Sequence, residues 1–307
     1  MTAYLYPNPD PGFGTWTLPI EAPRILFIAP GPLQWASTRL RAAWPAEYIP
    51  GAQWQEIKRE IPDDYDVYVY VKTINPDGIS RQIEEGKQVW WDLCDPVHWL
   101  DPKNARYMAD LSTGIVTSNQ ALTDDFNIWY GRAKAITIPD RIKLGHYPAI
   151  KYHSHANPVR LIWYGAGQNR ISLFAAVMPL ERLATNGINI ELTIMDDRVQ
   201  QWEFTNSFPV YFVPWQLERE AQIIAAHDIA IVPPYPGPWG AVKSNNKLLT
   251  AWACGLPACD CQDYDYLYEL ATDSGLRNHE ASEGYSRLIR DFDIEQSAKQ
   301  WKALLEI

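Results

Sequence analysis

Twice along this chain a short apolar run with no polar alternation ends abruptly in a glycine or proline turn and gives way to helical spacing. The first is Arg24–Ala29 (RILFIA), which runs into Pro30-Gly31-Pro32. The second is Val159–Tyr164 (VRLIWY), which runs into Gly165-Ala166-Gly167. A strand with one face in water alternates apolar and polar residues, whereas a strand apolar throughout needs cover on both faces. Such strands belong to parallel sheets sandwiched by helices, and the intervening segments read that way. Strands are expected at Gln53–Ile57, Asp66–Lys72 (DVYVYVK), Gln88–Leu93, Gly114–Ser118 and Ala135–Ile138. Helices are expected at Ile79–Glu85, Asn104–Leu111 and Ala121–Tyr130, with a short one through Arg39-Leu40-Arg41 capped by Ser37 or Thr38.

After a stretch without clear period, Pro139 to Pro158, the pattern restarts. Strands are expected at Val159–Tyr164, Ile190–Met195, Val210–Val213, Asp228–Val232 and from Pro257 to Cys259. Helices are expected at Arg170–Ala184, Leu217–Ala226, Ser244–Cys254 and Ile294–Leu305. The 307 residues suffice for two such units of roughly 150 residues, each with its own core. The expected division is an amino-terminal unit over 1–145 and a carboxyl-terminal unit over 146–291. Ligands of such sheets bind beyond the carboxyl ends of the strands, so two facing units define a cleft.

Several function classes recede at this point. No apolar run reaches the roughly 20 residues that span a bilayer. Residues 1–22 read as an irregular arm without the basic-then-apolar pattern of a signal peptide. The expectation is a soluble, cytoplasmic protein with no stable membrane association. A net charge of −10 disfavours nucleic acid as a general partner. Cys94, Cys254, Cys259 and Cys261 lack the spacing of a disulfide framework or a metal site, and they read as buried reduced thiols. The 14 tryptophans read mainly as core.

Asp228–Pro257 is the most informative segment: DIAIVPPYPGPWGAVKSNNKLLTAWACGLP. A buried strand runs out into a Pro/Gly loop, and a helix begins at Ser244-Asn245-Asn246. A helix amino end offers free N–H groups and a positive dipole to phosphate, Lys243 adds a full charge, and Lys247 lies one turn inside. The same residues also read as a capped surface helix with solvated lysines. In LIWYGAGQNR, Gly165 and Gly167 allow close backbone approach, and Arg170 can pair with phosphate through its fork. The full Gly-x-Gly-x-x-Gly is absent. In WWDLCDPVHW, Asp95 and His98 follow a strand and can orient or deprotonate a hydroxyl. An Asp-Pro turn and a packed histidine are the plainer reading. Arg39 and Arg41 do not share one helix face, so one is expected to be functional or paired and the other solvated.

The segment KSNNKLLTAWACGLP resembles the donor-binding region of the retaining sucrose-synthase-like glycosyltransferases, family 4 or group 1. AWACGLP is similar to that family's Glu-Ala-x-Ala-x-Gly-x-Pro, and KSNNKLL to the Lys-Ser-x-x-Arg/Lys of divergent members. TSNQAL and ITIPDRI resemble segments that close the family's amino-terminal domain. The resemblance runs in order from about residue 24 to 260 and is densest at 228–257. It implies the α/β GT-B architecture: two Rossmann-like domains with parallel sheets facing a central cleft, and a last helix, 292–307, returning to the amino-terminal domain.

The resemblance further implies metal-independent transfer, with retention, of a sugar from a UDP- or GDP-sugar to a hydroxyl acceptor, without a permanently bound cofactor. Donor contacts would come from Gly165, Gly167, Arg170, Lys243, Ser244, Asn245, Asn246 and Thr250. Asp95 and His98 would be catalytic, and Ser37 and Arg39 would line the acceptor side. Val242 and Thr250 stand where the family carries its two glutamates, so Glu218 or Asp228 are candidates to make the missing contact. A non-catalytic binding protein with a degenerate site and a nucleotide-sugar epimerase are the alternatives. A modified DNA base is a minority acceptor.

Overall fold

The structure is a computed structural model, and it describes residues 22–148, 150–198 and 206–307. The first unit holds β1 (Ile25–Ala29), α1 (Ala36–Thr38), a π-helical turn over Arg39–Ala43, α2 (Trp44–Glu47), β2 (Ala52–Glu56) and β3 (Val67–Val71). It continues with α3 (Pro76–Glu84), β4 (Gln88–Leu93), α4 (Pro102–Leu111), β5 (Gly114–Thr117), α5 (Gln120–Tyr130) and β6 (Ala135–Thr137). The second unit holds β7 (Val159–Tyr164), α6 (Phe174–Thr185), β8 (Ile190–Asp196), β9 (Val210–Pro214), α7 (Leu217–Ala225) and β10 (Ile229–Ile231). It continues with α8 (Pro238–Ala241), α9 (Asn246–Ala253), β11 (Ala258–Cys259), α10 (Tyr264–Thr272) and α11 (Ser274–Asp291). A final helix, α12 (Ile294–Leu305), closes the chain.

Both sheets are parallel throughout. The first runs β2-β1-β3-β4-β5-β6 and the second β11-β10-β7-β8-β9. The strands read from sequence all form, and the apolar runs ILFIA and VYVYV are buried along their whole length, as cover on two faces demands. The strand order reverses between β1 and β3 in the first sheet and between β7 and β10 in the second. At those reversals neighbouring connections leave in opposite directions and open a crevice at the carboxyl ends. This is the GT-B arrangement of two Rossmann-like units.

Three local features depart from the sequence expectation. The helix expected from Arg170 begins as a 3-10 turn over Gly167–Leu173 and becomes α-helical at Phe174. The segment between residues 260 and 293 folds as α10 and α11, each started by an aspartate side chain, Asp263 or Asp273, that accepts from the helix's first N–H groups. Gly284 on α11 lets α9 come close, since a Cβ there would lie 2.3 Å from Trp252. Finally, Arg39 and Arg41 are both buried, so neither is the solvated one that helix geometry led us to expect. Their helix lies between the two units, and its opposite faces are both interior.

The last helix packs on the first sheet. Trp301 meets Phe27 edge-on at 5.6 Å and Trp90 at 6.1 Å, and Ala298 and Leu305 join the same apolar cluster as Ile25, Val69 and Val116. A reciprocal pair of backbone bonds, Ile142 N to Phe292 O and Ile294 N to Ile142 O, ties its start to the chain between the units. Among the described residues no helix is long and apolar enough to cross a membrane. Because Trp301 is fully buried, Trp301→Ala should lower unfolding free energy by about 3–5 kcal/mol. Urea denaturation measures this, and a loss under about 1 kcal/mol would show that α12 contributes little to the first unit's core.

Candidate functional site

The reversal between β7 and β10 places two loops side by side. From β7 the chain turns through Gly165 to Gly167, and from β10 it runs through Pro233 to Lys243 before α9 begins. Asn245, the N-cap of α9, makes no side-chain cap hydrogen bond, so the helix's first N–H groups keep their donor capacity. Lys247 reaches from α9 across this crevice. Its ammonium lies 4.4 Å from the Trp163 ring centroid. Gly165, at φ +153°, clears the space, because a Cβ there would come within 2.9 Å of both Cε and Nζ of Lys247. Lys247 is packed at its carbonyl too, which accepts from the Tyr164 hydroxyl at 2.5 Å.

No carboxylate pairs with Lys247 among the described residues. Burial, followed by repulsion from Lys243, pulls its ammonium down to about 7 from the ordinary 10.5. Lys243 is lowered as well, chiefly by burial, with Asp95 across the cleft acting in the opposite sense. Its Nζ donates to Asn169 Oδ1 at 3.3 Å and sits 4.9 Å from the Tyr235 ring centroid. Two ammonium groups crowded together and short of anions form a seat for a multiply charged anion.

The first unit presents its own reversal to this seat. At the end of β3, Lys72 pairs with Asp95 Oδ2 at 2.5 Å. Beneath them Arg41 is sealed in the seam. Its fork grips both oxygens of Asp92, at 2.9 and 2.8 Å, while Nη1 donates to Ile138 O at 2.6 Å and reaches Asp140 at 3.3 Å. Burial pushes Asp92 up to about 6 against the pull of Arg41. Ser244, at the threshold of α9, lies beside the Asp140 carboxylate and favours its charged form, against the larger opposing effect of burial. Further contacts join the units: Arg39 to Glu220 at 3.4 Å, Asn119 Nδ2 to Val242 O at 3.0 Å, and Trp99 against Trp239 at 5.9 Å.

The residues singled out from sequence therefore fall into groups. Gly165, Gly167, Lys243, Ser244, Asn245 and Asn246 lie together at the crevice, and Asp95 faces them. Ser37 is half-buried on α1, beside Thr38, whose hydroxyl donates to Gly31 O at 2.9 Å. His98 is displaced from its expected role. Its ring is wholly buried against Trp99, Phe126 and Trp129, Nε2 bonds Asp125 at 2.8 Å, and burial lowers its pKa. A substrate hydroxyl has no access to it. Arg170 is also engaged elsewhere: its fork holds Asp196 and it donates to Arg198 O at 2.6 Å. Thr250 is buried, close enough to Tyr147 to lower the pKa of its hydroxyl slightly against the larger effect of burial. Asp228 sits at the opposite end of β10, held by Arg160 and Lys151, and Glu218 is exposed. The carboxylate that does turn inward is Glu220, half a turn further along α7. Sequence reasoning placed Lys247 one turn inside the phosphate-facing helix without counting it among the donor contacts, and it missed Lys72.

No family model matches the chain, and no curated protein does. Solved structures do match in fold. A TarM variant of S. aureus, in complex with fondaparinux, alpha-GlcNAc-glycerol and UDP, superposes with TM-score 0.55 at 13% identity over 78% of this chain. The chain spans about half of that protein, 55% of its length. A trehalose-6-phosphate synthase studied for glycosyl transfer with retention gives TM-score 0.58 at 12% identity, covering 80% of this chain and 74% of the synthase. The amino-terminal domain of a trehalose-6-phosphate phosphatase from Candida albicans gives TM-score 0.61 at 9% identity, covering 96% of this chain and 98% of that one. At these identities the likeness is one of fold.

The desolvated lysine makes a signed prediction. Between about pH 7 and 10.5 the unfolded chain holds a proton on Lys247 that the folded protein has released, so the penalty of burying this group fades as pH rises through that window. Lys247→Met should therefore raise the melting temperature most near pH 6 and least near pH 10. A gain independent of pH would show that the ammonium is not desolvated.

Proposed function

We propose that this protein is a glycosyltransferase that moves a sugar from a nucleotide-sugar donor to a hydroxyl acceptor, without a metal and with retention. The observation that carries this is the pair of uncompensated lysines, Lys243 and Lys247, at the amino end of α9, on the reversal of the second sheet. The donor's diphosphate lies between the Gly165–Gly167 turn and the first N–H groups of α9, with Asn245 and Asn246 beside it. The amino-terminal unit, 1–145, serves the acceptor, and the unit 146–291 holds the donor. TarM carries UDP in the fold this chain shares, which makes a uridine nucleotide the first donor to test.

In the reaction the acceptor oxygen bonds to the anomeric carbon as the bond from that carbon to the β-phosphate oxygen breaks. The bond's electron pair leaves with the diphosphate, where Lys243 and Lys247 meet the added negative charge. Asp95 takes the acceptor's proton. Retention rests on the family resemblance and on the retaining synthase that shares the fold. Closure of the two units around the bound donor would exclude water from the reacting centre and disfavour hydrolysis of the donor.

A second reading, a nucleotide- or sugar-binding module without turnover, draws support from one observation. Val242 is packed into the first unit's core and Thr250 is buried, so neither supplies the polar contact that the resembling family makes there.

The proposal predicts proton uptake. At pH 8 Lys247 is largely neutral, and a bound diphosphate draws a proton back onto it. Calorimetric titration with UDP at pH 8 should give an apparent enthalpy that varies with the buffer's ionisation enthalpy, and Lys247→Met should abolish that dependence. Lys243→Ala and Lys247→Met should each weaken UDP by about 10- to 100-fold, the loss of one charged hydrogen bond. UDP binding of undiminished strength in both variants would remove the diphosphate from this crevice. Binding with no sugar transfer to any hydroxyl acceptor would favour the second reading.

A further inference from the structure

Lys72 combines two features that no rule of strand ending requires. Its backbone is left-handed, at φ +53°, a conformation that a lysine adopts at a cost and a glycine freely. Its side chain is committed at the same time to Asp95 Oδ2, at 2.5 Å. Both occur where the first sheet reverses its strand order, facing Lys243 of the other unit. A left-handed turn that served only to leave β3 would be served better by glycine or asparagine. A strained residue at such a place persists when its side chain is needed there.

We propose that Lys72 is a positioning residue for sugar transfer: from its left-handed perch it holds one oxygen of Asp95, turning the other toward the acceptor hydroxyl. The left-handed conformation sets the direction in which the lysine leaves β3. An extended residue at this point would send its side chain along the strand's alternating faces, into the sheet's cover rather than across to the Asp95 loop. The backbone N–H of Lys72 still completes the ladder by donating to Asp92 O at 2.7 Å, so the turn does not sacrifice its pairing with β4. Burial works against the ammonium, but Cys94 and Asp95 outweigh it, and Lys72 keeps its proton more firmly than an ordinary lysine. It is therefore a fixed positive charge rather than a proton donor. The charges then alternate across the cleft: Lys72, Asp95, the acceptor, the donor diphosphate, and Lys243 with Lys247. As the proton moves to Asp95 and the electron pair to the diphosphate, Lys72 keeps the carboxyl group in place.

This inference rests on the sugar-transfer reading, and the test separates the two. Lys72→Gly, Lys72→Arg and the wild-type protein are compared for melting temperature and for the kcat and KM of consumption of the UDP-sugar that the wild type binds. Lys72→Gly should melt about 2 °C higher through relief of backbone strain, yet turn over at least 10-fold more slowly. Its kcat should fall with the donor's KM little changed. Lys72→Arg, which keeps the positive charge, should keep most of the rate. A Lys72→Gly variant with unchanged rate, or one that melts lower and loses donor affinity along with rate, would overturn the role of Lys72 alone. Absence of turnover in the wild type would overturn the sugar-transfer reading and this role with it.

Discussion

The seam between the two sheets is organised by one buried guanidinium. Arg41 holds Asp92 at the end of β4, the carbonyl of Ile138 beyond β6 and Asp140 where the chain leaves the first unit. Ser244 of the second unit lies beside Asp140 and favours its charged form. A buried guanidinium left with one partner missing costs about 3–5 kcal/mol, so each of these elements is held in place by the need to satisfy the others. The consequence is positional. Asp95 lies three residues past Asp92, and α9 starts two residues past Ser244. The Asp95 loop and the start of α9 thus both border the Arg41 junction, which acts beside the Arg39–Glu220 pair and the Asn119–Val242 hydrogen bond in joining the two units.

Around that junction the cations divide into two populations. Arg39, Arg41 and Arg170 are buried or largely buried, and each is paired with a carboxylate: Glu220, Asp92 and Asp196. They build the walls. Lys243 and Lys247 are crowded against aromatic rings instead, and both have lost basicity through burial. Lys247 has no carboxylate partner among the described residues, and Asp95 relieves Lys243 only in part. A ligand that supplies two negative charges would relieve both at once. Stability is given up in the empty protein and recovered in the complex, the pattern expected where a site is organised for a charged ligand rather than for the resting fold.

The elements of the fold were legible because their signals are local. A strand covered on both faces must be apolar throughout, and ILFIA, VYVYV and VRLIWY announce that in six residues or fewer. The Pro/Gly loop and the Ser-Asn-Asn start of α9 were legible for the same reason, since capping chemistry is written in adjacent residues. The errors arose where a side chain's partner is remote. His98 and Arg170 look like cleft residues in isolation. Asp125 and Asp196, some two dozen residues further on, draw them into the walls. The helix α11 passed unread because its apolar residues are sparse and its contact with α9 depends on Gly284, where the signal is an absent side chain. Lys72 could not be found at all, since a left-handed lysine carries no mark in the sequence.

The replacement of two expected carboxylates by Val242 and Thr250 then has a structural sense. Val242 packs into the first unit's core, with its carbonyl taken by Asn119, so the loop before α9 is anchored across the cleft rather than aimed into it. A glutamate at that position would bring a charge into an apolar cluster, at a cost of several kcal/mol unless paired. Glu220 with Arg39 brings polar groups from outside that motif to the joined faces of the two units. In this short chain the same side chains that hold the two sheets together also border the crevice, so the geometry of the site and the fit between its units are one property.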